Sequence, residues 1–225
     1  MRAVLPILFL AACTSAPSAP ERGILAIGDS VMAWNGGAGI PEATAARLGR
    51  PVTDVSRSGA HLTHPSAILG ALGFDVSKQM RDGDWDWVVL TGGGNDLRGA
   101  CGTPAEAAIL DGIIDADLQG DLPKLIARLR SGGARVAYLG YYDGPAGART
   151  AFTPCEPAFD TIDARMSRLA DRNPGVLFFD AGTVIDPADR TLYAGDLIHP
   201  SRRGAARIGT ALADAMRAAG GRAAR

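Results

Sequence analysis

A serine directly follows the first apolar run of the sequence, in the stretch ILAIGDS that ends at Ser30. Near the other end of the chain, His199 lies three residues after Asp196. A serine hydroxyl becomes an effective nucleophile when a base removes its proton, and histidine suits that task because it titrates near neutral pH. A carboxylate bonded to the imidazole holds the required tautomer. The three residue types together predict acyl-transfer chemistry, and one loop can supply both Asp196 and His199.

Acyl transfer also needs hydrogen-bond donors for the oxyanion of its tetrahedral intermediate. The candidate donors are the backbone N–H groups of Ser30 and Gly59 and the side-chain amide of Asn95. Each residue has a structural alternative when it is taken alone. Ser30 and His199 suit helix caps, Gly59 suits a turn with positive φ, and Asn95 suits an Asx-turn. Their combination, in this order along the chain, favours the catalytic interpretation.

Five short apolar runs, each followed by turn residues, predict strands that are buried on both faces. They are Gly23–Ile27, Pro51–Val55, Trp87–Leu90, Arg135–Leu139 and Val176–Phe179. Helical patterns separate most of these runs, so the sequence predicts an α/β fold: a three-layer α/β/α domain with a five-stranded parallel sheet. Ligands of such sheets bind beyond the carboxyl ends of the strands. Ser30, Gly59 and Asn95 all follow such strand ends.

Four helical patterns cover this sheet. Thr103 to Glu106 forms a capping box with Pro104 at the first helical position. Asp121 opens the next helix. The apolar stripes of the last three helices are Leu122, Leu125, Ile126 and Leu129; Phe159, Ile162, Met166 and Leu169; and Ile208, Leu212, Ala215 and Met216.

The chain resembles the SGNH, or GDSL-type, serine hydrolases in four blocks of residues. The blocks are Gly28-Asp29-Ser30, Gly59, Gly93-Gly94-Asn95-Asp96 and Asp196-Leu197-Ile198-His199. The resemblance extends from Gly23 to about Met216, and it implies a flavodoxin-like fold that needs no cofactor. It also implies a Ser30 nucleophile and a His199 base that is oriented by Asp196. The oxyanion donors that it implies are Ser30, Gly59 and Asn95.

Three aromatic residues are candidates for the rim of the pocket. Trp34 lies in VMAWNGG, where the sequence departs from the serine-rich turn that often follows the first block, and core packing on the first helix is an equal alternative. Tyr141 and Tyr142 follow the fourth strand. Their rings either stack on a sugar or aryl ester or pack under the loop.

Cys101 and Cys155 follow the third and fourth predicted strands, which are usually neighbours in such a sheet. The N-terminal signal pattern described below predicts export to an oxidising compartment, so we expect a Cys101–Cys155 disulfide that joins two loops beside the site. Two separate buried thiols are the alternative.

These observations predict a serine esterase that cleaves carboxylic esters, with short acyl chains favoured by the absence of a long apolar lid. The substrate is a small-molecule, glycan or lipid ester. Two alternatives stay open: an acyltransferase that moves acyl groups to a glycan, and a non-catalytic envelope binding protein on the same fold. The net charge of −1 argues against a nucleic-acid partner. The pair His61 and His64 lacks a recognisable third ligand, so we expect no metal.

The N-terminus has the pattern of a bacterial lipoprotein signal. Residues 1–12 form a short signal peptide, and LAAC resembles a lipobox in which Cys13 is lipidated. Residues 13–22 suit a flexible tether, residues 23–219 the hydrolase domain and residues 220–225 a flexible tail. The prediction is an exported protein in the cell envelope, anchored to the membrane by lipid. An ordinary secreted protein with a chance cysteine is the alternative.

Overall fold

The computed structural model describes residues 22–223, with side chains described up to residue 220. It contains a five-stranded, fully parallel sheet in the order β2-β1-β3-β4-β5. The strands are β1 (Gly23–Ile27), β2 (Val52–Asp54), β3 (Trp85–Leu90), β4 (Arg135–Leu139) and β5 (Val176–Phe179). The five predicted strands are thus confirmed, although β2 is shorter and β3 longer than predicted.

Helices cover both faces of the sheet, as the sequence predicted. They are α1 (Ser30–Ala33), α2 (Ile40–Leu48), α3 (Ala67–Leu69), α4 (Gly94–Leu97), α5 (Glu106–Ile113), α6 (Asp121–Ser131), α7 (Glu156–Arg172) and α8 (Arg202–Ala223). Helices α5, α6 and α7 form one layer, while α2 and α8 pack together. Gly209 permits this close packing, because a Cβ there would lie 2.6 Å from the Cβ of Ala43.

The core lies on both sides of the central strands. Residues 24–27 of β1 are fully buried, as are most of β3 and β4, which explains why these strands are continuous apolar runs. The predicted stripes of α6, α7 and α8 also face the core, with one exception: Ala213 is buried, whereas Ala215 is partly exposed.

Two predicted helix boundaries differ from the structure. Helix α5 begins at Glu106, after a turn, and the Glu106 carboxylate accepts the N–H of Gly102 rather than that of Thr103. The cap residue of α5 is Ala105, so the predicted capping box at Thr103 is wrong. Helix α8 continues through Ala223, beyond the domain boundary predicted at residue 219, and Gly220 packs against Arg135 at the start of β4. Residues 1–21, which include the predicted signal and Cys13, lie outside the described residues.

Candidate active site

Ser30 is the first residue of α1 and directly follows the turn at the end of β1. The helix cap is Asp29, whose Oδ1 accepts the N–H of Val31 at 3.0 Å. Ser30 therefore does not serve as the cap, which was its structural alternative. Its side chain lines a cavity at the carboxyl edge of the sheet, which we call the serine cavity. The serine cavity is lined by Asp29, Ser30, Val31, Gly94, Asn95, Tyr141, Tyr142, Gly144, Thr150, Phe152, Glu156, Phe159, Leu197 and Ile198.

The turn before Ser30 is fixed by a residue that sequence reasoning missed. The buried Gln79 side chain accepts the N–H of Gly28 at 2.6 Å and donates to the Gly28 carbonyl at 3.0 Å. Gly28 has a φ of 151°, and a Cβ there would lie 2.7 Å from the Thr91 carbonyl oxygen. Glycine is thus required at this position. Gln79 belongs to no recognisable motif, so the sequence gives no signal of its role.

Asp196 and His199 form a pair within one loop, as their spacing predicted. The Asp196 Oδ2 atom lies 2.5 Å from the His199 Nδ1 atom. Its Oδ1 atom accepts the backbone N–H groups of Ile198 and His199 at 3.1 and 3.0 Å. The intervening Leu197 has a φ of 62°, an uncommon conformation for a residue with a side chain, which closes the turn.

Hydrogen bonding dominates the electrostatics of this pair. Burial raises the pKa of the Asp196 carboxyl, but hydrogen bonds from the His199 ring and from two backbone N–H groups outweigh it, so the net pKa is lowered. Asp196 is therefore ionised at neutral pH, as a carboxylate that orients an imidazole must be.

The His199 imidazole is also held by packing. Its ring stacks on Trp34 with 3.9 Å between centroids and 10° between planes, while Asn35 donates to the Pro200 carbonyl at 3.0 Å. The His199 Nε2 atom is buried and has no hydrogen-bond partner among the described residues, so it is not bonded to the Ser30 hydroxyl. Catalytic hydrogen bonds often tighten only when substrate binds. Trp34 is thus placed against the imidazole, an arrangement that its position in the sequence did not specify.

The candidate oxyanion donors differ in their placement. Asn95 lines the serine cavity with Ser30 and donates one amide proton to the Ala60 carbonyl at 2.9 Å, which leaves its second proton available. Gly59 precedes Ala60, has a φ of 82° and is exposed. It therefore does occupy a turn that favours glycine, and it lies beside the serine cavity rather than among its lining residues.

Tyr141 occupies a buried position instead of an open rim. Its hydroxyl donates to Asp29 Oδ2 at 2.6 Å and accepts the Gly94 N–H at 2.8 Å. Its ring lines the serine cavity and stacks on Phe159 at 4.6 Å. Tyr142 is half-buried in the same wall, and its hydroxyl donates to the Ile198 carbonyl at 3.0 Å.

A disulfide joins Cys101 and Cys155, as predicted, with 5.0 Å between their Cα atoms. Cys155 immediately precedes α7, whose first turns supply Glu156 and Phe159 to the serine cavity. The bond closes a loop with a sequence separation of 54, for which about 4 kcal/mol of stabilisation is typical in the chain-entropy description. It therefore fixes one wall of the cavity.

The two histidines of HLTH pack against each other. The rings of His61 and His64 meet edge to face at 5.2 Å, and the His64 Nδ1 atom accepts the Ser66 N–H. Within residues 22–223, no group of three or more His, Cys, Asp or Glu side chains is arranged to hold a metal ion.

A second depression, which we call the acidic cleft, adjoins the serine cavity. It contains Asp143, Asp160, Asp163 and Asp180 and shares the side chains of Tyr141, Tyr142 and Phe159 with the serine cavity. The Asp163 Oδ1 atom is buried without a hydrogen-bond partner among the described residues. Burial, together with the charges of Asp180 and Asp160, raises the pKa of Asp163 to about 8.

Comparisons with known proteins agree with this fold. A model of the GDSL-like lipase/acylhydrolase family matches residues 26–207. Among solved structures, the chain is similar to the acetylxylan esterase Axe2 from Geobacillus stearothermophilus, with 19% identity and a TM-score of 0.61; the match covers 87% of this chain and 94% of that one.

Two further solved structures are similar to this chain. One is a carbohydrate esterase family 2 enzyme from Corynascus thermopiles, with 21% identity, a TM-score of 0.59 and coverage of 92% of this chain and 69% of that one. The other is the lipase Lip_vut3 from a goat rumen metagenome, with 21% identity, a TM-score of 0.56 and coverage of 89% and 98%. No curated protein matches the chain.

The family match and the fold define an ester-hydrolysing enzyme of the SGNH type. The chain belongs to the GDSL-like lipase/acylhydrolase family, as its four sequence blocks predicted. In the part of the chain that the structure describes, no helix combines the length and apolar character that crossing a bilayer requires.

Proposed function

We propose that this protein is a serine esterase that removes short acyl groups from small-molecule or glycan esters. The observation that carries the proposal is the Asp196–His199 pair beside the helix that begins at Ser30. The His199 Nε2 atom is buried and has no hydrogen-bond partner in the part of the chain that the structure describes. The family membership supports ester hydrolysis. The carbohydrate esterases among the similar structures support a glycan ester as one substrate class.

The reaction has two halves. His199 Nε2 takes the hydroxyl proton as Ser30 Oγ bonds to the acyl carbon, and the carbonyl oxygen becomes an oxyanion held by the Ser30 N–H, the Asn95 amide and the Gly59 N–H. Collapse of this intermediate breaks the bond to the alcohol, which leaves with the proton from His199. Water then attacks the acyl-enzyme, again with His199 as base, and the carboxylic acid is released. Asp196 orients the imidazole and stabilises its protonated form.

The size of the serine cavity supports a short acyl chain. The volume in which the centre of a water-sized molecule fits is about 40 Å³. On the same measure, a single water molecule needs about 10–15 Å³. This space suits an acetyl group or a group slightly larger. Four of its fourteen lining residues are aromatic, with Tyr142, Phe152 and Phe159 among them.

Labelling with a fluorophosphonate, together with turnover of p-nitrophenyl acetate, tests the proposal. We expect the probe to modify Ser30 and Ser30→Ala to lower kcat by about 10⁴- to 10⁶-fold, as in other triads. Ser131→Ala, at the end of α6, is the control and keeps full activity. A folded protein whose Ser30 stays unlabelled, or a Ser30→Ala variant that turns over ester normally, would refute the esterase mechanism and favour a binding protein. Product analysis with a sugar acceptor separates hydrolysis from acyl transfer.

We further propose that the protein is exported and anchored in the cell envelope through a lipid on Cys13. The support is the sequence pattern of residues 1–13. Mass spectrometry of the mature N-terminus and fractionation of Cys13→Ser test this. A lipidated Cys13 and release of the variant from membranes are expected, whereas an unmodified mature terminus beyond Cys13 contradicts the anchor.

A further inference from the structure

A continuous chain of buried hydrogen bonds connects the ends of three neighbouring strands. The Gly94 N–H, after β3, donates to the Tyr141 hydroxyl, after β4, at 2.8 Å. That hydroxyl lies 2.6 Å from Asp29 Oδ2, after β1, and Asp29 Oδ1 accepts the Val31 N–H at 3.0 Å. Asp29 is 2% exposed and Tyr141 8% exposed. No motif of the sequence includes Tyr141.

The hydrogen bonds of this network show which group donates each proton. The Tyr141 hydroxyl has one proton and already accepts from Gly94, so it donates to Asp29. Both oxygens of Asp29 then accept hydrogen bonds, which is the pattern of an ionised carboxylate. Burial raises the net pKa of Asp29 above its usual value, although the hydrogen bonds from Tyr141 and the Val31 N–H oppose that effect. Burial also holds the pKa of Tyr141 well above its usual value, so the hydroxyl retains its donor proton.

Two residues of this hydrogen-bond network directly precede the two residues whose relative placement matters most for the proposed reaction. Ser30 follows Asp29, and Asn95 follows Gly94. Ser30 and Asn95 line the same cavity and supply the nucleophile and two oxyanion donors of the proposed reaction. Because preorganised donors stabilise a transition state only when they stand at the right position, the link between the two turns affects the rate.

We propose that Tyr141 is a positioning residue that sets the distance between the nucleophile turn and the oxyanion amide through Asp29 and Gly94. The inference rests on the proposed esterase function and adds a residue to it.

The surroundings of Tyr141 suit this role. The phenol ring is held by its stack on Phe159, so the hydroxyl has a fixed position. A Cβ at residue 94 would lie 2.9 Å from the Tyr141 oxygen, so glycine is needed for the hydroxyl to reach the backbone N–H. The hydroxyl is therefore built into the turn that carries Asn95.

Tyr141→Phe tests the inference, with Tyr138→Phe as a matched control. Tyr138 is also buried, on β4 itself, and its hydroxyl donates to the Gly92 carbonyl at 3.0 Å rather than to Asp29. We expect Tyr141→Phe to lower kcat for p-nitrophenyl acetate by about 10- to 100-fold, since a misplacement near 1 Å can cost about 100-fold. Its KM stays within about twofold. Tyr138→Phe loses a comparable hydrogen bond, and we expect it to keep its kcat. The two variants together therefore distinguish a general loss of stability from a loss of positioning.

If Tyr141→Phe does not fold, Gly94→Ala displaces the same hydroxyl and is expected to show the same loss of kcat at constant KM. A kcat within about twofold of the native value in the folded variant, or an equal loss in Tyr138→Phe, overturns the inference. Ser30→Ala distinguishes this failure from that of the proposed function. An ester turnover that requires Ser30 but tolerates Tyr141→Phe removes only the positioning role, whereas turnover that does not require Ser30 removes both.

Discussion

The serine cavity and the acidic cleft lie side by side at the carboxyl edge of the sheet, but their carboxyl groups have opposite environments. In the loop beside the serine cavity, Asp196 accepts hydrogen bonds from the His199 ring and two backbone N–H groups, and its pKa is lowered. In the acidic cleft, Asp163 has a buried oxygen without a hydrogen-bond partner within residues 22–223, and its pKa is raised to about 8. The two regions share Tyr141, Tyr142 and Phe159, so their difference does not arise from the shared wall.

The difference shows what sets the charge of a carboxyl group. The Asp196 side chain is 35% exposed and also accepts hydrogen bonds, whereas the Oδ1 atom of Asp163 is buried. A charge removed from water is stable only when donors replace the lost solvation. A tight turn at Leu197 brings two N–H groups to Asp196, whereas Asp163 projects from the regular helix α7, whose N–H groups bond within the helix. Of the two, we expect only Asp196 to contribute a fixed negative charge at neutral pH.

Among the substitutions that test this comparison, Asp196→Asn has the largest expected effect, and that effect is on kcat. The amide cannot stabilise a protonated imidazole and favours the wrong tautomer, so we expect kcat to fall by about 10³- to 10⁴-fold. Steady-state turnover of p-nitrophenyl acetate measures this. Asp163→Asn serves as the control and keeps kcat within about twofold of the native enzyme. Equal losses in both variants would show that the two carboxyl groups are not functionally distinct.

Trp34→Ala tests whether packing against the His199 ring adds to the hydrogen bond from Asp196 in orienting that ring. Loss of a stacked aromatic pair costs about 0.5–1.5 kcal/mol. If that energy orients His199, kcat falls by roughly 2- to 12-fold while the Asp196–His199 pair remains. Trp34→Phe restores most of the activity because it retains a stacking face. If the alanine variant matches the native kcat, Trp34 is only a packing residue, and hydrogen bonds alone orient the imidazole.

The smallest expected effect is the one that Asp163→Asn has on the stability of the fold. The pKa of Asp163 rises from 3.8 to about 8 on folding. Between these pH values the unfolded chain releases the proton while the folded chain keeps it, so folding becomes less favourable as pH rises. Asp163→Asn removes this pH-dependent loss of stability, because asparagine does not titrate. Its gain in Tm over the native protein should be greater at pH 8 than at pH 4 by at least about 2 °C. Thermal unfolding at both pH values measures it, and a gain independent of pH would contradict the raised pKa.

The sheet and the Asp196–His199 pair could be predicted because their signals are local. The buried strands are continuous apolar runs, and His199 follows Asp196 by only three positions along the chain. Helix α2 was not predicted, because its buried face is made of Ile40, Pro41, Thr44 and Ala45 and has no large apolar stripe. The bond between Tyr141 and Asp29 spans 112 residues, and that between Gln79 and Gly28 spans 51. Such residues become partners only when the packed fold brings them together, so no periodicity or spacing in the sequence predicts them.

The contact between Gly220 and Arg135 has a practical consequence for engineering the enzyme. Arg135 begins β4, and Gly23 begins β1. The last described helix therefore returns to the amino edge of the sheet, where the first described strand starts. Fusion partners, purification tags or a solid support joined at either end of the described chain would leave the opposite, substrate-facing edge clear. A short linker between these ends is also a natural starting point for circular permutation.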